Sequence, residues 1–452
     1  MLSIVESVVG MRKIVLILFL VLIMVFLCEV QCVKAGPDEI WVPYDYPTIQ
    51  AAIDAANSGD HIHIVGTRYE NVTVYKPLSL IGEAGATISM YDAASILRVT
   101  SDNVILSNLT LQCDGHQVGI SFVSTKLCHA INNRIINAGI AISIWNSSHI
   151  KALNNQIENN GGCAFRLSES SSCGIESNTL MSAGVHLYKT DLTLIKANLI
   201  LNASTGIYFE STSSNNTIIY NTISANHYAI YFKGHFLGGY PCYNKIYKNN
   251  FINTTHVAGV DYYTEWDMGW PEGGNYWSDH PKEDNYSGPN QNEPGSDGIC
   301  DTPHGVSDID RYPLTAPINF FEVPFGFITE KVEIVSNSTV TNFQLNQTEK
   351  TIKFYVTGIT GTGFCRVAIP NSIVEGLWKG NYSVKIDNAQ PLYMRNWTVN
   401  AQTYIYFTYQ HSTHQVIIIH EVSTGILLTT LLIFATFSTI LVRKMHHGKA
   451  EK

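Results

Sequence analysis

The stretch Asn133-Arg-Ile-Ile-Asn-Ala-Gly-Ile-Ala-Ile-Ser-Ile144 contains the unit from which most of this chain is built. An asparagine opens a short apolar segment, a small or polar cluster turns the chain, and a second apolar segment follows. The same order returns at Asn108-Leu-Thr, Asn155-Gln-Ile, Asn178-Thr-Leu, Asn198-Leu-Ile, Asn221-Thr-Ile and Asn250-Phe-Ile, with successive spacings of 25, 22, 23, 20, 23 and 29 residues. Second apolar segments recur at Cys163-Ala-Phe-Arg-Leu, Gly206-Ile-Tyr-Phe and Ala229-Ile-Tyr-Phe.

A period near 22 with short strands in each unit fits a solenoid whose coils stack at about 4.8 Å. Two positions after the reference asparagine stand Thr110, Ile135, Ile157, Leu180, Ile200, Ile223 and Ile252, a nearly aliphatic column that belongs inside. The asparagine itself is expected at the bend, bonding backbone of its own or the next coil and tolerating a left-handed conformation. The Leu-x-x-Leu-x-Leu of leucine-rich repeats is missing, and propeller blades need longer units. The expected fold is all-β: a right-handed parallel β-helix of about eight coils.

An open solenoid end exposes unpaired strand edges, so the first coil needs a cover. Ile49, Ala52, Ile53 and Ala56 fall at helical spacing behind Thr48, a candidate N-cap. From Tyr46 to Glu83, Thr48-Ile-Gln, Gly59-Asp60, Gly66-x-x-Tyr69-Glu70-Asn71-Val72 and Leu80-Ile81-Gly82 resemble the N-terminal cap of pectin-lyase-like β-helices. Farther on, Gly273-Gly-Asn-Tyr-Trp-Ser-Asp279, Gly295-Ser-Asp297-Gly-Ile-Cys-Asp301-Thr-Pro303 and Asp308-Ile-Asp310-Arg-Tyr-Pro-Leu314 resemble the closing motif of NosD-type surface β-helix proteins of archaeal type, built on carbohydrate-binding and sugar-hydrolysis repeats. That resemblance, over about residues 40 to 315, implies a fold more than an activity. The founding members serve copper delivery, so it makes copper one metal to test.

The remaining organisation follows from composition. Residues 1–35 combine Arg12-Lys13, an apolar run and Val33-Lys34-Ala35, and read as a cleaved signal peptide, with an uncleaved anchor as the alternative. Residues 36–75 are the cap, 76–262 the β-helix repeats, 263–316 the closing loops and 317–421 a small β-sandwich of alternating strands. Residues 422–442 form a run of 21 residues without a charge, enough to cross about 30 Å of hydrocarbon, and the basic tail 443–452 places the C-terminus inside. The chain is expected at the plasma membrane as a single-pass protein with its ectodomain outside. A net charge of −9 with only 14% charged residues lacks the basic footprint of a nucleic-acid binder. Eleven Asn-x-Ser/Thr sequons are glycosylation candidates: Asn71, Asn108, Asn146, Asn202, Asn215, Asn253, Asn285, Asn337, Asn346, Asn381 and Asn396.

Chemistry is sparse. Asp297, Asp301, Asp308 and Asp310 have the hard oxygen donors that calcium takes, or they cap turns and close the last coil with Tyr276 and Trp277 over its apolar end. His61 and His63 point the same way from one strand, and His411 with His414 forms a second pair; neither has a third ligand in sequence reach. No Cys or Met cluster suits soft copper. Cys128 and Cys173 share a register with Ile150 and read as buried thiols, while Cys242 and Cys300 form a candidate disulfide. Gly66-x-x-Tyr69-Glu70 resembles the start of a pectinesterase, but the other segments such enzymes require are absent. Asp114, Glu158, Glu169, Glu176, Asp191 and Glu210 supply carboxylates that hydrolysis uses in pairs. Tyr208, Tyr228 and Tyr231 are candidates for stacking on sugar rings. The expected function is binding of glycans or other cell-envelope components, a surface protein among them, with no required cofactor and no assigned catalytic residue. Polysaccharide cleavage and copper handling are the alternatives.

Overall fold

The computed structural model describes residues 38–421 except 159, 235–238, 254–255, 260–262 and 306–308. The expected signal peptide, membrane span and tail lie outside them, and among the described residues no helix is long and apolar enough to cross a membrane.

Residues from Glu39 to about Trp277 wind into a right-handed parallel β-solenoid. One wall is a sheet of ten parallel strands running from Glu39–Val42 to Lys245–Tyr247, so there are more coils than the eight expected: the cap segment itself forms the first ones. The other walls merge into a single 17-stranded sheet. Inward columns continue from coil to coil. Leu80, Leu106, Ala130, Ala152, Ile175, Ile195, Ile218 and Ile246 form one, and all are fully buried. The helix Ile49–Ala55 covers the first coil. Thr48 accepts the Ala51 N–H at 3.1 Å, and Glu70 accepts the N–H groups of Ile49 and Gln50 at 2.9 and 3.2 Å. Glu70, the residue shared with the pectinesterase pattern, thus serves as a helix cap.

The asparagine register holds in the middle and moves by one residue at both ends. The column two positions on is Leu111, Ile135, Ile157, Leu180, Ile200, Ile223, Phe251 and Trp277, every member buried. The reference residues are therefore Leu109, Asn133, Asn155, Asn178, Asn198, Asn221, Asn249 and Asn275, not Asn108 or Asn250. Nor does the reference asparagine take the left-handed conformation. The residue before it does: Asn108, Asn132, Asn154, Ser177, Ala197, Tyr220 and Lys248 have φ between 55° and 60°. The left-handed residue turns the corner, and the next side chain points inward.

Inside, these asparagines form one hydrogen-bonded ladder. The N–H and Nδ2 of Asn133 donate to Asn155 Oδ1, both at 3.0 Å. Asn155 repeats this toward Asn178, and the pattern continues through Asn198, Asn221 and Asn249 to Asn275. Each Nδ2 also donates to a carbonyl of the preceding coil, as from Asn198 to Ile175 O at 2.8 Å. Buried amides are costly unless bonded, and here each is satisfied by its neighbours. Cys128, Ile150, Cys173, Thr193, Asn216 and Asn244 line up at another corner, so the two cysteines are buried thiols in one column, and Cys242 and Cys300 are also free thiols rather than a disulfide.

Residues 318–420 form two antiparallel sheets of five and four strands around one apolar cluster that includes Phe354, Val367, Trp378, Phe407 and Ile418. They pack on the last coils through Tyr220, Ile299, Leu314, Ile318 and Val335. A buried ionic network lies beside that seam. Lys248 Nζ donates to Glu333 at 2.9 and 3.0 Å and to Glu272 at 2.7 Å, Tyr220 donates to Glu333, and Tyr404 donates to Glu272 at 2.9 Å. Lys248 and Lys331 overcome burial and hold the Glu333 carboxyl down to about 2.

Candidate functional site

Side chains that alternate outward on one wall of the solenoid form a column of their own: Arg98, Ser121, Ser143, Arg166, His186, Tyr208 and Tyr231. Two residues along the strands a second column runs Val123, Trp145, Ser168, Tyr188, Glu210 and Lys233. Both are positioned by the buried residues between them, Phe122, Ile144, Leu167, Leu187, Phe209 and Phe232, which fix the strands from inside. Glycine lets the coils close up at the strand starts. A Cβ on Gly184 would lie 2.1 Å from Thr205 O, and one on Gly206 would lie 2.6 Å from Ala229 O.

On this wall the aromatic rings are continuous. His186 stacks on Tyr208 with centroids 4.5 Å apart, Tyr208 lies 5.3 Å from Tyr231, Tyr231 lies 5.1 Å from Tyr228, and Tyr228 stacks on His227 at 4.4 Å. Trp145, nearly half exposed, lies farther along the neighbouring column. Charge runs beside the rings. His186 Nε2 lies 2.9 Å from Glu210 Oε2, and Lys233 Nζ lies 3.3 Å from Glu210 Oε1. Burial lowers the His186 pKa, with Arg166 and Lys233 adding to the effect against the pull of Glu210. Burial would raise Glu210, but His186 and Lys233 outweigh it and hold the carboxyl low. Near neutral pH the pair is a neutral imidazole beside a carboxylate. The wall therefore combines flat apolar rings with a hydrogen-bonding pair and two cations, the chemistry that suits a sugar ring carrying hydroxyl or acidic groups.

The six carboxylates named from sequence are dispersed. Glu158 pairs with Arg134 at 2.7 Å, Glu169 with Lys189 at 3.5 Å, Asp191 accepts the Ser214 N–H and Asp114 the His116 N–H; Glu210 alone of those named stands among the rings. Arg166, His186 and Lys233 were not singled out. Within one column the offsets from the reference asparagines differ, +11 for Arg166 and +8 for His186, because the corner loops vary in length, and Lys233 stands two residues farther along, in the second column.

The aspartates of the closing loops accept N–H groups. Asp297 accepts from Trp270 Nε1 and Ile299 N, Asp301 from the N–H groups of Asn285 and Tyr286, and Asp310 from Asn275 N and Trp277 Nε1. Asp308 lies outside the described residues. Of the sequon asparagines, Asn71, Asn108, Asn146, Asn202, Asn215, Asn253, Asn285, Asn337, Asn381 and Asn396 are exposed and Asn346 is half-buried.

His61 and His63 have carboxylate partners that sequence did not show. Glu39 lies 3.1 Å from His61 Nδ1 and 2.5 Å from His63 Nε2, Glu83 lies 2.7 Å from His63 Nδ1, and Trp41 stacks on His63. Both ring nitrogens of His63 are thus engaged. His411 and His414 bond separately, to Thr360 O and to Asp387.

A family model described as periplasmic copper-binding protein (NosD) matches residues 53–281. The chain belongs to the NosD family. The copper of the family's description meets no ready donor set here: among the described residues no three His, Cys, Asp or Glu side chains are arranged to hold a metal ion. Burial pushes the thiols of Cys113 and Cys300 up to about 12 and those of Cys173 and Cys365 up to about 11, away from the thiolate a metal takes. No curated protein matches the chain. Among solved structures this NosD-family chain is similar to the ORF18 protein of Geobacillus virus E2 (12% identity, 71% of this chain and 69% of the other, TM-score 0.37). It is also similar to the enzymatically active domain of tailspike protein 2 of bacteriophage CBA120 (10%, 85% and 73%, TM-score 0.33) and to the A-module of a mannuronan C-5 epimerase of Azotobacter vinelandii (14%, 48% and 92%, TM-score 0.24).

Proposed function

We propose that this NosD-family member is an exported protein, anchored in the membrane by residues 422–442, whose outer aromatic wall binds a glycan of the cell envelope. The observation that carries the reading is the unbroken run His186, Tyr208, Tyr231, Tyr228 on a rigid parallel sheet. Rings stacked on one another at the coil spacing turn successive edges to a chain lying along the wall, and Arg166, Glu210 and Lys233 supply the polar contacts that distinguish one sugar from another. The exposed sequon asparagines support an external location. A glycan array probed with the full chain in detergent tests the proposal: selective binding that is lost in a Tyr208→Ala/Tyr231→Ala variant supports it. An array without signal, or signal unchanged in that variant, rejects it.

A second reading, cleavage of a polysaccharide, is favoured by the His186–Glu210 contact, where a neutral imidazole stands ready to accept a proton. It predicts reducing ends or unsaturated products from some member of a polysaccharide panel, and their loss in His186→Gln.

A further inference from the structure

The strands Ile318–Phe325 and Ile328–Ser336 are joined by the two-residue turn Gly326-Phe327. Phe327 is fully exposed and the neighbouring Ile328 is 60% exposed, while Phe325 packs inward against the core of the two sheets. Four contacts place this tip at the end of the sheets from which the chain departs. Pro324 O accepts from Gln347 Nε2 at 3.0 Å, in the turn ahead of strand Thr351–Thr357, and Thr351 pairs with Ile419. The Phe325 ring touches Gly376 of the helix Asn371–Trp378. That helix leads to Asn381, whose carbonyl accepts the N–H of Glu421 at 3.2 Å. Glu421 is therefore still held by the fold, and the charge-free run begins at the very next residue, Val422.

We propose that the Phe327–Ile328 tip is a lipid contact: it rests in the interfacial layer of the bilayer that residues 422–442 cross, and so fixes the tilt of the ectodomain. The proposal rests on the anchoring reading above. Without a spacer, the end of the sheets that carries Glu421 cannot stand away from the membrane, and a phenylalanine presented there enters the headgroup boundary as interfacial apolar side chains do. Glu349, Lys350, Glu375 and Lys379 are exposed at the same end and carry both signs, so the contact needs no anionic lipid. Two side chains bury too little to hold a free protein on a bilayer; they act because the span keeps them there.

The test uses the full chain in phosphatidylcholine nanodiscs, with and without bromine on the upper acyl chain, and with membrane integration established first by resistance to alkaline extraction. Phe327→Trp adds an emitter at the tip. Ile359→Trp adds one in the turn after Thr357, at the opposite end of strand Thr351–Thr357, where Ile359 is also exposed. The expected result is that brominated lipid removes the emission added at 327 and leaves that added at 359. An integrated chain whose added emission at 327 is unquenched overturns the lipid contact, and a blue-shifted but unquenched signal assigns the tip to a second copy of the chain instead. A chain that washes out in alkali overturns the anchor, and the lipid contact with it.

Discussion

The backbone N–H of Asn275 donates to Asp310 Oδ2 at 2.7 Å, and with that bond the asparagine ladder ends on a carboxyl oxygen. Every ladder asparagine hands two N–H donors to the next Oδ1, so the last coil has two donors left over. Asp310, fully buried, takes both and the Trp277 indole as well. Burial pushes its carboxyl up to about 7 against the pull of these donors. Asp310→Leu leaves the Asn275 N–H and the Trp277 indole without an acceptor, while Asn275 Nδ2 keeps the carbonyls of Ile246 and Trp266; an unsatisfied buried group costs about 1–3 kcal/mol. Asp310→Asn keeps an oxygen in place. In urea denaturation the leucine variant should lose clearly more stability than the asparagine variant; equal losses would show that the cap does not act through acceptance.

The corrected register can be tested in the middle and at the start of the rod. Asn198→Ala removes the acceptor of Asn178 N–H and Nδ2 in a fully packed interior and should destabilise by about 2–4 kcal/mol. Asn108→Ala, at an exposed corner, removes no ladder bond; it should lose only the strain of alanine at the left-handed φ of 58°, about 1 kcal/mol. A reversal of that order in chemical denaturation would restore the register read from sequence.

At the junction with the two sheets, Glu333 is ionised in the fold with its pKa lowered from 4.5 to about 2. A depressed carboxylate contributes stability that is complete above 4.5 and is lost as pH falls through the folded value, so the seam should weaken between about pH 4.5 and 2. Glu333→Gln should flatten that acid limb. Lys248→Met strands a buried charge at a cost of about 3–5 kcal/mol, and the double variant Lys248→Met/Glu333→Leu should recover much of the loss. Calorimetry across pH would reveal each.

Gly184→Ala sets a methyl against the carbonyls of Thr205 and Gly206, 2.1 and 2.3 Å from the ideal Cβ position. The coils would have to part at the edge of the aromatic wall, at about 1–3 kcal/mol. A thermal midpoint equal to that of the parent would mean the coils yield there without strain.

The solenoid was legible because its cause is periodic: one inward asparagine and one inward aliphatic residue per coil. Its exact register was not legible at the ends, for a physical reason. Asparagine suits both the ladder and the left-handed corner that precedes it, so doublets such as Asn132-Asn133 and Asn249-Asn250 offer two candidates, and only packing decides. In the first doublet the ladder member comes second; in the other it comes first, because Lys248 already turns the corner. The aromatic wall was half legible: Tyr208, Tyr228 and Tyr231 were visible, but His186 and Arg166 enter it only through loops of unequal length. The junction was not legible at all, since Lys248 and Glu333 lie 85 residues apart and meet by folding.

The ladder also makes this rod extensible in whole units. Every coil between Leu109 and Asp310 presents the same acceptor to the coil before it and the same donors to the one after. A coil can therefore be duplicated or deleted there without changing what either terminus must satisfy. Each such event between the aromatic rings and the two sheets would move the rings by about 4.8 Å relative to those sheets, so the number of coils there works as a ruler for how far the wall reaches.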